Sequence, residues 1–479
     1  MGVDLGIASA HTVVVTDAEG TVVARRRCRP IRESLEAVEA AALAGAPEGT
    51  RLEVVVEPTG VAWLPVAVFF VRRGHLVYRV SSAKAAALRR FLSANAKTNS
   101  IDAETLARLP IVDPGGVRPL ELPTGELAAL DRRVRACERL TEAQTQRKIR
   151  LRELARQLYP SIDDVIGGEV SRCDVAVLER WGDPRRLAKV PHRRLVEVIA
   201  KASSGQKGAD HAASWRQAAE DALDLYGDDP AVPFEALAAE IATECRLLRA
   251  IWAEHKGHAV AREDAYKAAD PDGLARSLPG VAAIGGPLLV ASMGRPGRFR
   301  DAAAFKSFTG LAPRASETGD TDRKGQPMSK AGPGRLRHQL VLSANTARRL
   351  DPQLAAVYYT QMVERGAHHT KALCVVATRL AERGWVTMAR GEPYVIRDID
   401  GRPVDPAEAK AIIAERYTVP EEIRRRRRSR KTKAKGKAPH HAGRRDTRGD
   451  LPQPSSSGPN GPRVKTPADA SSRPNRPHS

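Results

Sequence analysis

Three carboxylates in the first quarter of the chain are of the right type and placement to hold a metal ion. Asp4 stands in the apolar stretch "MGVDLG", Glu57 ends "LEVVVE", and Asp102 lies in "KTNSIDAETLAR". Hard oxygen donors of this kind suit Mg2+, and two-metal phosphoryl transfer uses such sets with ions about 4 Å apart. Each residue also has an ordinary role. Asp4 would be a turn residue before Gly6, and Glu57 a strand-end charge facing water. With Asn99 as N-cap, Asp102 falls at N3, where an acid favours the helix dipole. Singly, the ordinary roles explain these residues better; jointly, on two adjacent strands and a helix start, a metal site does. Asn99, three residues before Asp102, offers a neutral amide oxygen and suits a cap better than a ligand.

A second chemical region is "FTGLAPRASETGDTDRKGQPMSKAGPGRLRHQL", a hydroxyl- and glycine-rich loop with Lys324, Lys330, Arg335 and Arg337 close behind. Such a loop can present a nucleophilic hydroxyl to a phosphodiester, while the cations hold the strand. Ser329 fits the plainer role of capping the helix that starts near Gly334. Just upstream, "LPGVAAIGGPLLVASMG" has the pattern of a helix-hairpin-helix. Gly280 and the Gly285-Gly286 pair would form its turn, and the following helix start would offer N–H groups to phosphate.

The elements that must position these groups follow from periodicity. "HTVVVTD" and "TVVARRR" flank a Gly-containing turn and predict a hairpin. "RESLEAVEAAALAG", "VAWLPVAVFFVRRG" and "SAKAAALRRFLSANA" predict helices alternating with the strands "RLEVVVEPTG" and "HLVYRVS". A hairpin followed by alternating helices and strands gives a mixed sheet with helices packed on it. The strand carrying Asp4 has almost nothing before it, which predicts an unusually short strand or a start codon upstream. Residues 125–159 form one long helix with a heptad seam and a polar middle, and a second begins near Phe234. The two either pair as a hairpin or meet the same helices of another subunit.

The net charge of +21, with an isoelectric point near 10.1, points to a polyanionic partner. From Arg424 onward there are 17 Lys and Arg against three Asp and no aromatic residue, so the basicity concentrates in the tail. That segment can bury no core and is expected to be disordered. Five scattered cysteines without a Cys-x-x-Cys pair suggest reduced thiols in the cytoplasm. No apolar run is long enough for a membrane span, and no signal peptide is apparent.

Taken together, "GVDLG", "VVVEPTG", "KTNSIDAETLAR", "LPGVAAIGGPLLVASMG", "FTGLAPRASETG" and "RKGQPMSKAGPGRLR", in that order, resemble the DEDD-type transposases of bacterial insertion sequences. The resemblance covers roughly residues 1–110 and 275–390. It implies an α/β RNase H-like (RuvC-like) catalytic domain over 1–115 and a helical coiled-coil region over 116–270. It further implies a mainly α transposase domain over 271–400, with a helix-hairpin-helix-like element, ahead of the disordered basic tail at 418–479. It also implies Mg2+ on Asp4, Glu57 and Asp102, with Asn99 standing where the family carries its remaining Asp. The family's nucleophilic serine directly precedes a glycine. Here Thr318 holds that place and Ser316 lies two residues earlier, so either hydroxyl is a candidate. The implied partners are DNA, a non-coding guide RNA that pairs with donor and target DNA, and further copies of the chain in a homodimer or homotetramer.

Three other functions compete. A junction-resolving nuclease would need the carboxylates and no serine. A nucleic-acid-binding protein with a decayed site would need neither. "GVDLG" also opens actin-like kinases, but "IASAH" follows it here in place of the Gly-Thr or Ser-Thr that grips phosphate there.

Overall fold

A computed structural model of the chain describes residues 1–92, 98–227, 229, 231–314, 317, 318, 321, 322 and 326–428. The β-branched runs form the expected strands: β1 (Gly2–Asp4), β2 (His11–Thr16), β3 (Val22–Cys28), β4 (Glu53–Val56) and β5 (Leu76–Arg79). They make one mixed sheet in the order β3-β2-β1-β4-β5. β1 is antiparallel to β2 and β2 to β3, whereas β4 is parallel to both β1 and β5. The short first strand is as expected, at three residues. Helices cover both faces: α1 (Arg32–Leu43) and α2 (Trp63–Arg72) on one, α3 (Ser82–Leu92) and α4 (Asn99–Val112) on the other. Alternation along the strands feeds both cores. Val3 and Val56 pack with Leu35, Val66 and Phe70, while Val55 and Tyr78 pack with Leu88, Leu106 and Leu109.

From α5 (Gly125–Leu158) the chain is helical. The helices α6 (Ile162–Val165), α7 (Arg172–Trp181), α8 (Pro184–Leu187), α9 (His192–Ala202) and α10 (Ala209–Tyr226) lead to α11 (Phe234–Ala269). α5 and α11 have 34 and 36 residues, about 50 Å each at ~1.5 Å per residue. They pair antiparallel within the chain. Thr141 Oγ1 meets His255 Nε2 at 3.3 Å, Arg147 meets Glu244 at 2.9 Å and Arg150 meets Glu240 at 2.7 Å, so positions rise on α5 as they fall on α11. One end of this pair packs into a core around Tyr159 and Trp215, whose rings lie edge to face at 5.7 Å. At the other end, Leu130 and Val134 of α5 and Tyr266 of α11 enter the last core.

That core is built by α12 (Leu274–Ser277), α13 (Gly285–Met293), α14 (Ala302–Thr309), α15 (Gly334–Ala347), α16 (Pro352–Tyr359) and α17 (His369–Arg390). A small hairpin, β6 (Glu317–Thr318) and β7 (Thr321–Asp322), stands between α14 and α15, and α18 (Pro406–Arg416) and α19 (Glu421–Arg426) follow. α19 corrects only the start of the expected disordered tail, because residues 421–426 are helical, while 429–479 lie outside the described residues. Arg427 explains the order: its guanidinium is taken up by the Met362 and Val363 carbonyls, and its own carbonyl accepts from His369 N at 2.9 Å. The expected glycine turn is right at Gly280, which turns with φ 73°, and is corrected at the Gly285-Gly286 pair. Gly285 and Gly286 are the first residues of α13 and are buried, and Gly286 N–H donates to Ala282 O at 2.9 Å. They serve packing, since a Cβ on Gly286 would meet Arg276 Cγ at 2.9 Å. No helix among the described residues is long and apolar enough to cross a membrane.

Candidate active site at one edge of the sheet

The register of β1 on β4 decides what the first two carboxylates do. Gly2 stands beside Val55 and Val3 beside Val56 on parallel strands, and Asp4 and Glu57 are the next residues along each chain segment. Neighbouring strands are ~4.8 Å apart. Val3 and Val56 point to the α1–α2 face, and alternation turns Asp4 and Glu57 to the face that carries α4.

α4 crosses that face at unusually short range. A Cβ on Gly2 would lie 2.0 Å from Ala103 O and 2.4 Å from Ala107 N, so only glycine admits the helix here. Ile111, near the end of α4, lies by Gly20 in the β2–β3 turn, at the opposite end of the sheet from Asp4. The first turn of α4, with Asn99 and Asp102, is therefore directed toward the acidic edge.

The helix start differs from expectation by one residue. Thr98 is the N-cap, in extended backbone, and its Oγ1 accepts from Ile101 N at 3.2 Å. Asn99 is the first helical residue and is exposed, and Asp102 sits at N4. Neither performs the capping that would explain it locally. Asp102 Oδ1 instead accepts from Arg89 Nη1 of α3 at 3.0 Å. The three carboxylates are not drawn to a common point: among the described residues, the one group of metal-ligand types within 4.8 Å of one another is Cys173, Asp174 and His211.

That group lies in the helical middle and is a structural network. Asp174 closes a capping box with Ser171, accepts from His211 Nε2 at 2.8 Å, and has Lys207 at 4.0 Å. The hydrogen bond to Asp174 raises the His211 pKa to about 9.

Beside the acidic edge, His11 ties down the loop that follows Asp4. Its Nδ1 accepts from Gly6 N at 3.1 Å, and burial lowers its pKa, which keeps the ring neutral. Gly6 is needed for this tight loop, since a Cβ there would meet Ser9 Oγ at 2.4 Å. Two large apolar side chains leave the same edge exposed: Ile7 at 78% and Val61 at 75%. Gly2, His11 and Arg89 were not apparent as site residues in the sequence. The one available signal was the glycine within "GVD", at a strand position that a larger residue normally fills.

Comparison with known proteins bears on what this edge serves. A model of the DEDD-type transposases of IS110 matches residues 1–160, and that of the transposase IS116/IS110/IS902 family matches residues 272–359. The chain belongs to the DEDD-type IS110 transposase family. It is also 27% identical, over 390 residues, to the insertion element IS110 uncharacterized 43.6 kDa protein of Streptomyces coelicolor. That match spans 79% of this chain and 90% of the relative. The protein is accordingly a DNA transposase.

In this transposase the second chemical region forms a loop between α14 and α15. Pro313 bridges Met328 at its base, and β6 pairs with β7 with Thr318 opposite Thr321. Ser316 and Lys324 lie outside the described residues. Lys330 is exposed and has a left-handed backbone, φ 57°, with its N–H on Gly310 O at 3.1 Å. Gly332 passes so close to α14 that a Cβ would fall 1.6 Å from Phe308 O. Arg337 turns inward and donates to Thr309 O at 3.3 Å and Gly332 O at 3.4 Å. Arg335 ties α15 to α5 through Glu142 and, at 3.6 Å, Glu138. Ser329 N donates to Ala312 O at 2.8 Å, at the base of the loop and away from the α15 start.

Proposed function

We propose that this transposase cuts and rejoins DNA strands of an insertion sequence, using Mg2+ held by Asp4, Glu57 and Asp102 on an RNase H-like (RuvC-like) sheet. The strand order, three antiparallel strands followed by two parallel to the first, supports the RNase H-like reading. The observation that supports the site is the register of β1 on β4, in which Gly2 pairs with Val55 and Val3 with Val56, one residue before Asp4 and Glu57. The donor set fits the ion: carboxylate oxygens on rigid strand ends and a helix start suit a hard divalent cation, whereas a thiol or imidazole set would not. Asp102 would join by leaving Arg89, an exchange of one part-exposed ion pair for another.

When bound, Mg2+ supplies positive charge at a phosphodiester and makes a nearby hydroxyl or water easier to deprotonate. Asp4 and Glu57 hold fixed positions because β1 and β4 do, and His11 keeps the adjoining loop from spreading over them. The nucleophile is the hydroxyl of Ser316 or Thr318. Its oxygen bonds to phosphorus as the bond to one nucleoside oxygen breaks, its proton passes to solvent, and the departing oxygen takes up a proton. The helical hairpin of α5 and α11 serves as the spacer that brings this loop to an acidic edge, in the same chain or in another copy of a homodimer or homotetramer. A net charge of +21 suits both DNA and a non-coding guide RNA in the cytoplasm.

The test is strand exchange on supercoiled plasmid carrying the element ends, with Mg2+ or EDTA, and with or without the transcript of the element's non-coding flank. Exchange that needs both Mg2+ and the transcript is expected. Exchange undiminished by EDTA would overturn the metal site, and exchange without the transcript would overturn RNA guidance. Cleavage without rejoining would indicate a junction-type nuclease.

A further inference from the structure

An open cavity of about 370 Å³ lies at the last helical core, and half of its lining residues are arginines. Asn345 and Arg348 come from the end of α15, Tyr358 from α16 and His369 from the start of α17. The region of α19 contributes Arg424, Arg425 and Arg428. Glu421 is the only carboxylate in the lining, 3.7 Å from Arg425. Four guanidiniums thus face one acid. Among the described residues, Arg348, Arg424 and Arg428 make no ion pair with a carboxylate.

The fold holds these charges together by other means. The Arg348 guanidinium lies over the Tyr358 ring at 4.2 Å, and its Nε donates to Asn345 Oδ1 at 3.1 Å. Tyr358 Oη and His369 Nδ1 share a hydrogen bond of 2.7 Å on the same wall. Arg427, one residue before the last lining arginine, fastens α19 to the Met362 and Val363 carbonyls. The effect of crowding is visible in the titrating groups: burial first, and then the neighbouring arginines, lowers the pKa of both Arg348 and His369. Like charges gathered around a cavity favour an anion there, and planar guanidinium forks suit the paired oxygens of a phosphate.

We propose that this cavity is a nucleic-acid phosphate site, in which Arg348, Arg424 and Arg428 grip the backbone of the DNA or RNA that the transposase handles. The inference rests on the transposase reading and assigns it a second contact region, away from the acidic edge. The volume suits a phosphodiester with its sugar. In sequence, the segment after Arg428 continues with 12 Lys and Arg against three Asp, so the same polyanion would find further cations. Five of the eight lining residues, His369, Glu421, Arg424, Arg425 and Arg428, lie beyond the stretches that match the transposase models.

The test uses the full chain and two labelled probes, a 20-nucleotide single-stranded RNA and a 20-base-pair DNA duplex, titrated over a salt series. Arg424→Ala with Arg428→Ala should weaken binding about tenfold or more. It should also flatten the dependence of log affinity on log salt by about 1.4 for the single strand or about 1.8 for the duplex. Arg424→Lys with Arg428→Lys should keep the wild-type slope. The probe whose slope falls identifies the polymer held. Should the alanine pair not fold, Arg428→Ala alone, outside any helix, should give half the change. Unchanged slopes for both probes, with wild type still binding them, would overturn the site and leave the transposase reading standing. Failure of the wild type to bind either probe would overturn both.

Discussion

Arg89 of α3 donates to Asp102 of α4 at 3.0 Å, and that contact separates two roles for the acid. An acid placed for capping would face the helix-start N–H groups, but Thr98 has that position. Asp102 is held from the side, by a cation it would give up to a metal ion. Asp102→Ala should therefore abolish strand exchange while changing unfolding free energy by less than about 1 kcal/mol, the usual worth of a part-exposed pair. Thr98→Ala should do the reverse, costing about 1 kcal/mol with activity retained. Strand-exchange assays and urea melts on both variants measure this. Full activity in Asp102→Ala would remove the residue from the site.

Gly2 sets the approach of α4 to the sheet. Gly2→Ala places a methyl carbon 2.0 Å from a backbone oxygen, which no rotamer relieves. The expected cost is about 1–3 kcal/mol, with lost activity because the first turn of α4 moves off the acidic edge. Gly257 in α11 is the control. A Cβ there meets nothing within 4 Å, so Gly257→Ala should stabilise by up to about 1 kcal/mol. Paired denaturation midpoints check both signs, and a neutral Gly2→Ala would refute the close packing.

The buried pair of Asp174 and His211 predicts an alkaline limit. The His211 pKa is raised from 6.5 to about 9 by its hydrogen bond to Asp174, so the stabilisation is complete below about pH 6.5 and lost as pH rises through about 9. Asp174, whose own pKa is lowered, contributes above its ordinary value of 3.8 and weakens under acid. His211→Gln should lower stability at pH 7 by about 3 kcal/mol, because it leaves a fully buried carboxylate with only Lys207, at 4.0 Å, as a cation. It should also remove the fall in melting temperature between pH 7 and pH 9.5. An unaltered pH profile would mean that His211 is neutral in the folded protein.

Much of this architecture was legible because β-branched runs and helical periodicity mark the elements directly. "HTVVVT", "EVVV" and the seam of α5 announce themselves. The choice of partner was not legible, since a heptad seam looks the same whether it meets its own chain or a copy. Only pairs such as Arg147 with Glu244 show which occurs. The helix start was misjudged by one residue because Thr98 and Asn99 both cap well, and extended backbone at Thr98 decides between them. Arg335 and Arg337 looked alike as strand-holding cations. Packing separates them, one paired with acids on α5 and the other turned onto the carbonyls of Thr309 and Gly332. The arginine run after Ile423 looked like a solvated tail because nothing in a run of identical charges reveals that Arg427 is captured by carbonyls.

A hydroxyl in "RASETG" should become covalently joined to DNA during exchange, at Ser316 slightly ahead of Thr318. Ser316 has the less hindered primary hydroxyl, while Thr318 directly precedes Gly319. Thr318 lies in β6, opposite Thr321, and that backbone pairing fixes its place in the loop. A free hydroxyl is a weak nucleophile near neutral pH and needs a base or a metal ion to activate it. No histidine lies near it in the sequence, and under the proposed mechanism activation comes from the metal held at the edge that carries Asp4 and Glu57. The dependence is directional: Asp4→Ala should eliminate the covalent species, whereas Ser316→Ala or Thr318→Ala should leave DNA binding intact and block only the linkage. Quenching the reaction in denaturant, digesting the protein and identifying the DNA-linked peptide by mass spectrometry names the residue. A link at either position supports the hydroxyl mechanism and chooses between the two. Efficient cleavage with no adduct in wild type would assign the attack to water.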